Sequence, residues 1–245
     1  LQGHAYAKPV QIDARDHRID RVIQKFTSHR ELAMNAVDFA KMAVRQLKRA
    51  WIRLLPYQRD AVSREGFENM YSQQQYEYLR GVGELAHYSV IIGYCRHLKP
   101  AGALLDVGCG EGILRERLDA GHFSRYVGID FSQEAIRRAS RLEDDRTCFA
   151  CADVLSYVPD GQFDMIVFGE CLYYFDDPLS VLERYRSALK DDGIFIVSIC
   201  DHERTSPVWK LVEAVYTALD SVRVTHQSKL SWTIKILAPA RSAGT

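Results

Sequence analysis

The chain has no run of about 18 apolar residues, so nothing in its 245 residues reads as a membrane-spanning helix. It also lacks a net charge. Lys+Arg and Asp+Glu are both 32, which disfavours a wholesale binder of polyanions. There is no signal-peptide pattern, and the expected location is the cytoplasm. No internal repeat or low-complexity tract is present, which sets aside solenoids and flexible linkers. Cysteine is sparse where it would matter. Of the six, only Cys148 and Cys151 form a C-x-x-C, and no second pair completes a tetrahedral site, so no metal is expected and the thiols read as reduced and mostly buried. What remains, 47% hydrophobic and 26% charged, suits one large domain with an extension.

The most informative stretch is ALLDVGCGEG, Ala103 to Gly112. Ala103, Leu104, Leu105 and Val107 form a short apolar run with Asp106 set inside it, and glycines follow at every second position, Gly108, Gly110 and Gly112. This predicts a buried strand, a tight turn that brings backbone close to a ligand, and then a helix beginning at Ile113. Such a unit places a nucleotide at the carboxyl end of its strand. The dinucleotide fingerprint G-x-G-x-x-G is missing, however. The spacing is G-x-G-x-G, and a carboxylate at Asp106 would repel a pyrophosphate while suiting a ligand that carries an ammonium group.

Further strands are predicted at Tyr126–Ile129, Thr147–Ala150, Phe163–Phe168 and Gly193–Cys200, with a final pair at Ser221–Thr225 and Ser231–Leu237. Helices are predicted over Glu84–Tyr94, from Ser132, after an Asp177 N-cap with Pro178 at the first position, and from Pro207 to Leu219. Asp191-Asp192-Gly193 reads as the turn into the fifth strand. Asp130 stands about 20 residues beyond the glycines, where a carboxylate can accept from both ribose hydroxyls of a nucleoside; its plainer reading is a helix cap, a role Ser132 fills equally well. Upstream, Asp13 to Leu55 reads as mainly helical, with Phe39, Ala43, Leu47, Ala50 and Leu54 on one arc and Lys41, Arg45, Lys48, Arg49 and Arg53 on another. That basic amphipathic helix suits packing on its own domain or on a second subunit as a homodimer, or docking on an anionic membrane or partner.

From Ala103 to Gly112 the chain resembles the class I S-adenosylmethionine-dependent methyltransferases, and Asp130 and Asp153 fall at the family's spacing. The resemblance covers roughly Glu84 to Pro239 and implies an α/β Rossmann-like seven-stranded mixed sheet, parallel with one antiparallel strand, flanked by helices and preceded by an N-terminal helical extension. The implied division is an extension over 1–65, with 1–4 read as a tag scar, a methyltransferase domain over 66–240 and a tail over 241–245. The implied cofactor is S-adenosylmethionine, leaving as S-adenosylhomocysteine, without a metal. Its binding would fall to Asp106, Gly108, Cys109, Gly110, Gly112, Asp130, Phe131, Asp153, Val154, Glu170 and Tyr88, with His87 a second candidate beside Tyr88. Asp153 would meet the exocyclic amine of adenine.

The segment Glu170-Cys171-Leu172-Tyr173-Tyr174 is similar to the ExLYY stretch of small-molecule and sugar methyltransferases, including the nodulation N-methyltransferases, and the N-P-P-Y pattern of base and protein-amide modifiers is missing. The implied acceptor is therefore a small molecule or glycan and not a nucleic acid, held by Tyr173, Tyr174 and His202, with His202, Glu170 and Tyr174 as catalytic candidates. His202 is the first candidate base because histidine titrates near neutrality. Two other readings stand beside this one. One is a nicotinamide-dependent oxidoreductase; the other is a non-catalytic cofactor-binding scaffold docked through the basic helix.

Overall fold

A computed structural model describes residues 63–202 and 205–238. The expected N-terminal extension and its basic helix lie outside these residues, apart from 63–65, as does the expected tail.

The described chain starts with α1 (Arg64–Ser72), a 3₁₀ turn (Glu77–Arg80) and α2 (Val82–Leu98), then enters the sheet at β1 (Gly102–Val107). Alternation continues through α3 (Ile113–Arg117), β2 (Phe123–Asp130), α4 (Gln133–Ala139), β3 (Thr147–Cys151), β4 (Phe163–Gly169), α5 (Pro178–Arg186), β5 (Leu189–Cys200) and α6 (Ser206–Glu213). It closes with β6 (Thr217–Thr225) and β7 (Ser231–Ala238). The sheet order is β3-β2-β1-β4-β5-β7-β6, with β7 antiparallel to both its neighbours and the other pairs parallel. This is the expected seven-stranded mixed sheet.

Burial on both faces explains why the central strands are apolar without alternation. Along β1, Leu105 and Val107 face a layer containing Leu182 and Tyr185 of α5 and Val208 and Val212 of α6, while Leu104 faces Ile91, Ile92 and Cys95 of α2. Strand order changes direction between β1 and β4, and a ligand crevice forms there beyond the carboxyl ends. Two helices begin as the sequence predicts: Ser132 Oγ accepts from the Ala135 N–H at 3.1 Å, and Asp177 Oδ1 from the Ser180 N–H at 3.1 Å.

Three local readings are corrected. Asp191-Asp192-Gly193 is not the turn before β5 but an irregularity within it: Leu189 pairs with Phe163 and Ile194 with Met165, so Lys190 to Gly193 loop out opposite Asp164. A Cβ on Gly193 would stand 3.0 Å from the carbonyl oxygens of both Lys190 and Phe163. The last helix stops at Glu213, and Thr217 and Ala218, expected inside it, pair instead with Ala238 and Leu237 of β7. Tertiary pairing there overrides a helical pattern. The Cys148 and Cys151 thiols are exposed rather than buried, and all six cysteines are free. Among the described residues, no helix is long and apolar enough to cross a membrane, and no three His, Cys, Asp or Glu side chains gather as metal ligands would.

Candidate active site

The crevice is a cavity of about 610 Å³. Its floor is the glycine turn after β1, pinned when the Gly108 and Cys109 N–H groups both donate to the Ile129 carbonyl at 2.8 and 3.0 Å. Gly108 and Gly110 take φ of +74° and +53°, and Cβ atoms there would fall 2.8 Å from Cys171 Cβ and 2.9 Å from Tyr71 Oη. Only glycine takes this backbone without strain and without pressing on Cys171 or Tyr71.

Asp130 ends β2 with its carboxylate against the turn: Oδ2 accepts from the Gly110 N–H at 3.0 Å and Oδ1 from the Ser132 N–H at 2.9 Å. Burial pushes its pKa up, opposed by those N–H groups. Each oxygen keeps a lone pair for a further donor such as a ribose hydroxyl. Phe131, Asp153 and Val154 continue the wall at this end. Across them lies α1, where Arg64 ion-pairs with Asp153 and stacks 5.3 Å from the Phe131 ring centroid. Phe67 sets its edge against both Phe131, at 5.5 Å, and Tyr174, at 5.0 Å.

Past the glycines, over β4, β5 and β7, the lining is Tyr78, Glu84, Tyr88, Glu170, Tyr173, Cys200, His202 and Trp232. Glu170 follows β4 at φ +57°, a conformation that costs a non-glycine residue about 1–3 kcal/mol. It is held there by its own carboxylate: Oε1 accepts from the Ser198 hydroxyl at 2.7 Å, and Oε2 from the Cys200 N–H at 2.7 Å. Burial lifts its pKa to about 7 against those hydrogen bonds. His202 approaches Tyr173 edge-on at 6.3 Å between centroids.

Residues 105–197 match the family model described as a methyltransferase domain. They contain the glycine turn, Asp130, Asp153 and Glu170 whose geometry is given above. Over these residues the chain carries a methyltransferase domain.

Curated relatives of this methyltransferase domain include the ubiquinone biosynthesis O-methyltransferase of Chromobacterium violaceum, 31% identical over 54% of this chain and 59% of that protein. Its counterpart in Psychrobacter cryohalolentis is 30% identical over 50% of each. The chain thus spans about half to three-fifths of the length of these relatives. Among solved structures, the N-methyltransferase NodS from Bradyrhizobium japonicum WM9 with S-adenosyl-L-homocysteine superposes with a TM-score of 0.61 at 20% identity, covering 71% of this chain and 96% of that one. The Burkholderia thailandensis 1,6-didemethyltoxoflavin-N1-methyltransferase gives 0.59 at 21% identity, covering 74% and 92%.

The cavity brings together Tyr88, Gly108, Cys109, Gly110, Asp130, Phe131, Asp153, Val154, Glu170, Tyr173, Tyr174 and His202. Three expected residues are absent from its wall. Asp106 is buried beneath the turn, where it accepts from the Tyr126 hydroxyl at 2.5 Å, and burial raises its pKa to about 7. Gly112 caps α3 at φ +76°, and a Cβ there would meet Phe149 at 3.0 Å and Leu142 at 3.1 Å, so packing accounts for this glycine. His87 is sandwiched between Tyr88, at 4.3 Å, and Trp232, at 4.8 Å.

Sequence reasoning passed over Arg64, Glu84, Glu111, Cys200 and Trp232, which also line the cavity. Glu111 sits inside the glycine turn itself, buried and paired to Arg80 at 2.7 Å and Arg138 at 2.9 Å. Of the upstream aromatic rings, Phe67, Tyr71, Tyr76, Tyr78 and Tyr88 face the cavity, whereas Tyr94 donates to Asp220 at 2.8 Å.

Proposed function

We propose that this chain transfers a methyl group from S-adenosylmethionine to an oxygen or nitrogen of a small molecule, a sugar, glycan or natural-product intermediate. The observation that carries the reading is one continuous cavity. A nucleoside-type end (Asp130, Phe131, Asp153) runs past an open glycine turn into an aromatic, acid-bearing end (Glu170, Tyr173, Tyr174). The residues suit the cofactor: Asp130 presents lone pairs for ribose, Val154 and Phe131 present apolar surface for adenine, and Gly108 and Gly110 hold the turn at positive φ where a Cβ would press on Cys171 and Tyr71. The ubiquinone O-methyltransferase relatives and the N-methyltransferase neighbours support the reaction class and leave oxygen and nitrogen acceptors both in play.

The bound cofactor supplies an electrophilic methyl carbon on a sulfonium. The chain's own work is to orient an acceptor in line behind that carbon and keep water out. Tyr173 and Tyr174 form the wall beside Glu170, and Phe67 closes over Tyr174 from α1. We place the start of the functional domain no later than residue 63, because α1 supplies Arg64, Phe67 and Tyr71 to the cavity. The experiment is incubation of the full chain with methyl-labelled S-adenosylmethionine and a panel of amino- and hydroxy-bearing sugars and aromatics. Label in an acceptor, with equimolar S-adenosylhomocysteine, is the expected result. Cofactor binding with no transfer to any acceptor would favour the scaffold reading.

A further inference from the structure

The two ends of the cavity differ in charge. At the nucleoside end, Asp153 is paired with Arg64, and Glu111 in the glycine turn with Arg80 and Arg138. At the far end two carboxylates, Glu84 and Glu170, face the same space, and among the described residues neither a lysine nor an arginine lines it with them. Strand order places this end over β4, β5 and β7, up to three strands beyond the β1 turn, or roughly 14 Å at about 4.8 Å per strand.

Glu84 is the unexplained member. It sits in the first turn of α2, where an acid is favourable at the surface, yet only 7% of it is exposed. Among the described residues its ion-pair partner is His87, whose Nδ1 lies at 3.5 Å. That histidine is buried, its pKa falls to about 3 through burial and then the charge on Arg117, and Nδ1 has no hydrogen-bond partner. A neutral imidazole does not balance the carboxylate. Among the described residues the charge on Arg117 reaches Glu84 and partly offsets its burial, but that guanidinium stacks on Tyr88 at 4.6 Å, donates to the Leu79 carbonyl at 2.9 Å and makes no ion pair with Glu84. A buried carboxylate without a counter-ion is costly, and its position on a cavity wall points to a cation from outside. The rings of Tyr78, Tyr173 and Trp232 line the same end, and a ring face turned to the cavity favours a cation over an anion.

Resting on the methyltransferase reading, we propose that the acceptor is an amine, received as its ammonium form between Glu84 and Glu170. Before transfer the ammonium gives one proton to a carboxylate of this pair. The freed nitrogen lone pair then forms the N–CH3 bond, and the electrons of the breaking C–S bond return to sulfur, leaving a neutral thioether and a methylated ammonium. Phosphorylated or carboxylated acceptors are repelled at this end.

The test is calorimetry on the full chain saturated with S-adenosylhomocysteine at pH 7.5, using 2-phenylethylamine and 2-phenylethanol, which differ in the ammonium alone. The expected result is at least 10-fold tighter binding of the amine, falling to within about threefold in Glu84→Gln while affinity for S-adenosylhomocysteine is unchanged. Equal affinities, or an amine that does not bind, overturn the proposal on the intact chain alone, whatever the variant does. Preference retained in a folded Glu84→Gln overturns it too. A variant that melts normally but loses S-adenosylhomocysteine assigns Glu84 to the methyl donor, and this also overturns it. Failure of the intact chain to bind S-adenosylhomocysteine would instead sink the methyltransferase reading beneath it.

Discussion

Glu170→Gln should stabilise the ligand-free protein at pH 8 and do little at pH 5. In the folded chain burial raises the Glu170 carboxyl from its ordinary 4.5 to about 7. The sign follows from proton binding: between those values the folded state holds a proton that the unfolded chain has released, so stability falls as pH rises through the window and the full penalty stands above it. At about 1.4 kcal/mol for each pH unit, the penalty above pH 7 is roughly 3 kcal/mol, which water in the cavity reduces to about 2 kcal/mol. At pH 5 about a quarter of it has developed. Glutamine keeps the hydrogen bonds, its oxygen accepting from the Cys200 N–H while its amide donates to Ser198 Oγ, a hydroxyl able to accept. For a domain of this size the melting temperature should rise by roughly 4–8 °C at pH 8 and by at most about 2 °C at pH 5. Melting curves at the two pH values, without ligand, read this directly. An equal shift at both, or a lower melting temperature at pH 8, would refute the claim that Glu170 is held as a destabilised carboxylate.

The support beneath the site can be tested in the same way. Gly128→Ala would place a Cβ 2.5 Å from Phe149 Cδ1 and 2.9 Å from Cys109 Sγ, so denaturant unfolding should show a loss of about 1–3 kcal/mol; an unchanged midpoint would mean that the ring moves freely. Tyr126→Phe removes the hydroxyl that opposes the burial effect on Asp106, and should cost about 1–3 kcal/mol at pH 8 but much less at pH 5, where Asp106 is protonated. Equal losses at both pH values would show that the carboxylate is not the partner that matters.

Much of this arrangement was legible because its signals are local. The glycine turn needs positive φ at Gly108 and Gly110, and a short apolar run before it has few outcomes other than a buried strand. Asp130 was expected from its spacing to that turn, and Asp153 and the Tyr173-Tyr174 pair from the family resemblance. What misled was a residue's direction. In a strand buried on both faces, apolar pattern does not say which side an acid takes, so Asp106 was expected at the ligand and lies instead under Tyr126. The outward loop at Lys190 to Gly193 and the strand start at Thr217 depend on partners far along the chain, Asp164 and Ala238. Glu84 and Trp232 reach the cavity through the packing of α2 across β7, which no window of sequence around either residue contains.

The central claim is that the carboxyl ends of the strands bind an S-adenosyl nucleoside with Asp130 at its ribose. Calorimetry of S-adenosylhomocysteine against the full chain and against Asp130→Ala tests it most directly. The expected result is micromolar binding by the intact chain, weakened at least 10-fold, or about 1.4 kcal/mol, in the variant. No binding to the intact chain, or equal affinity in both proteins, would contradict it.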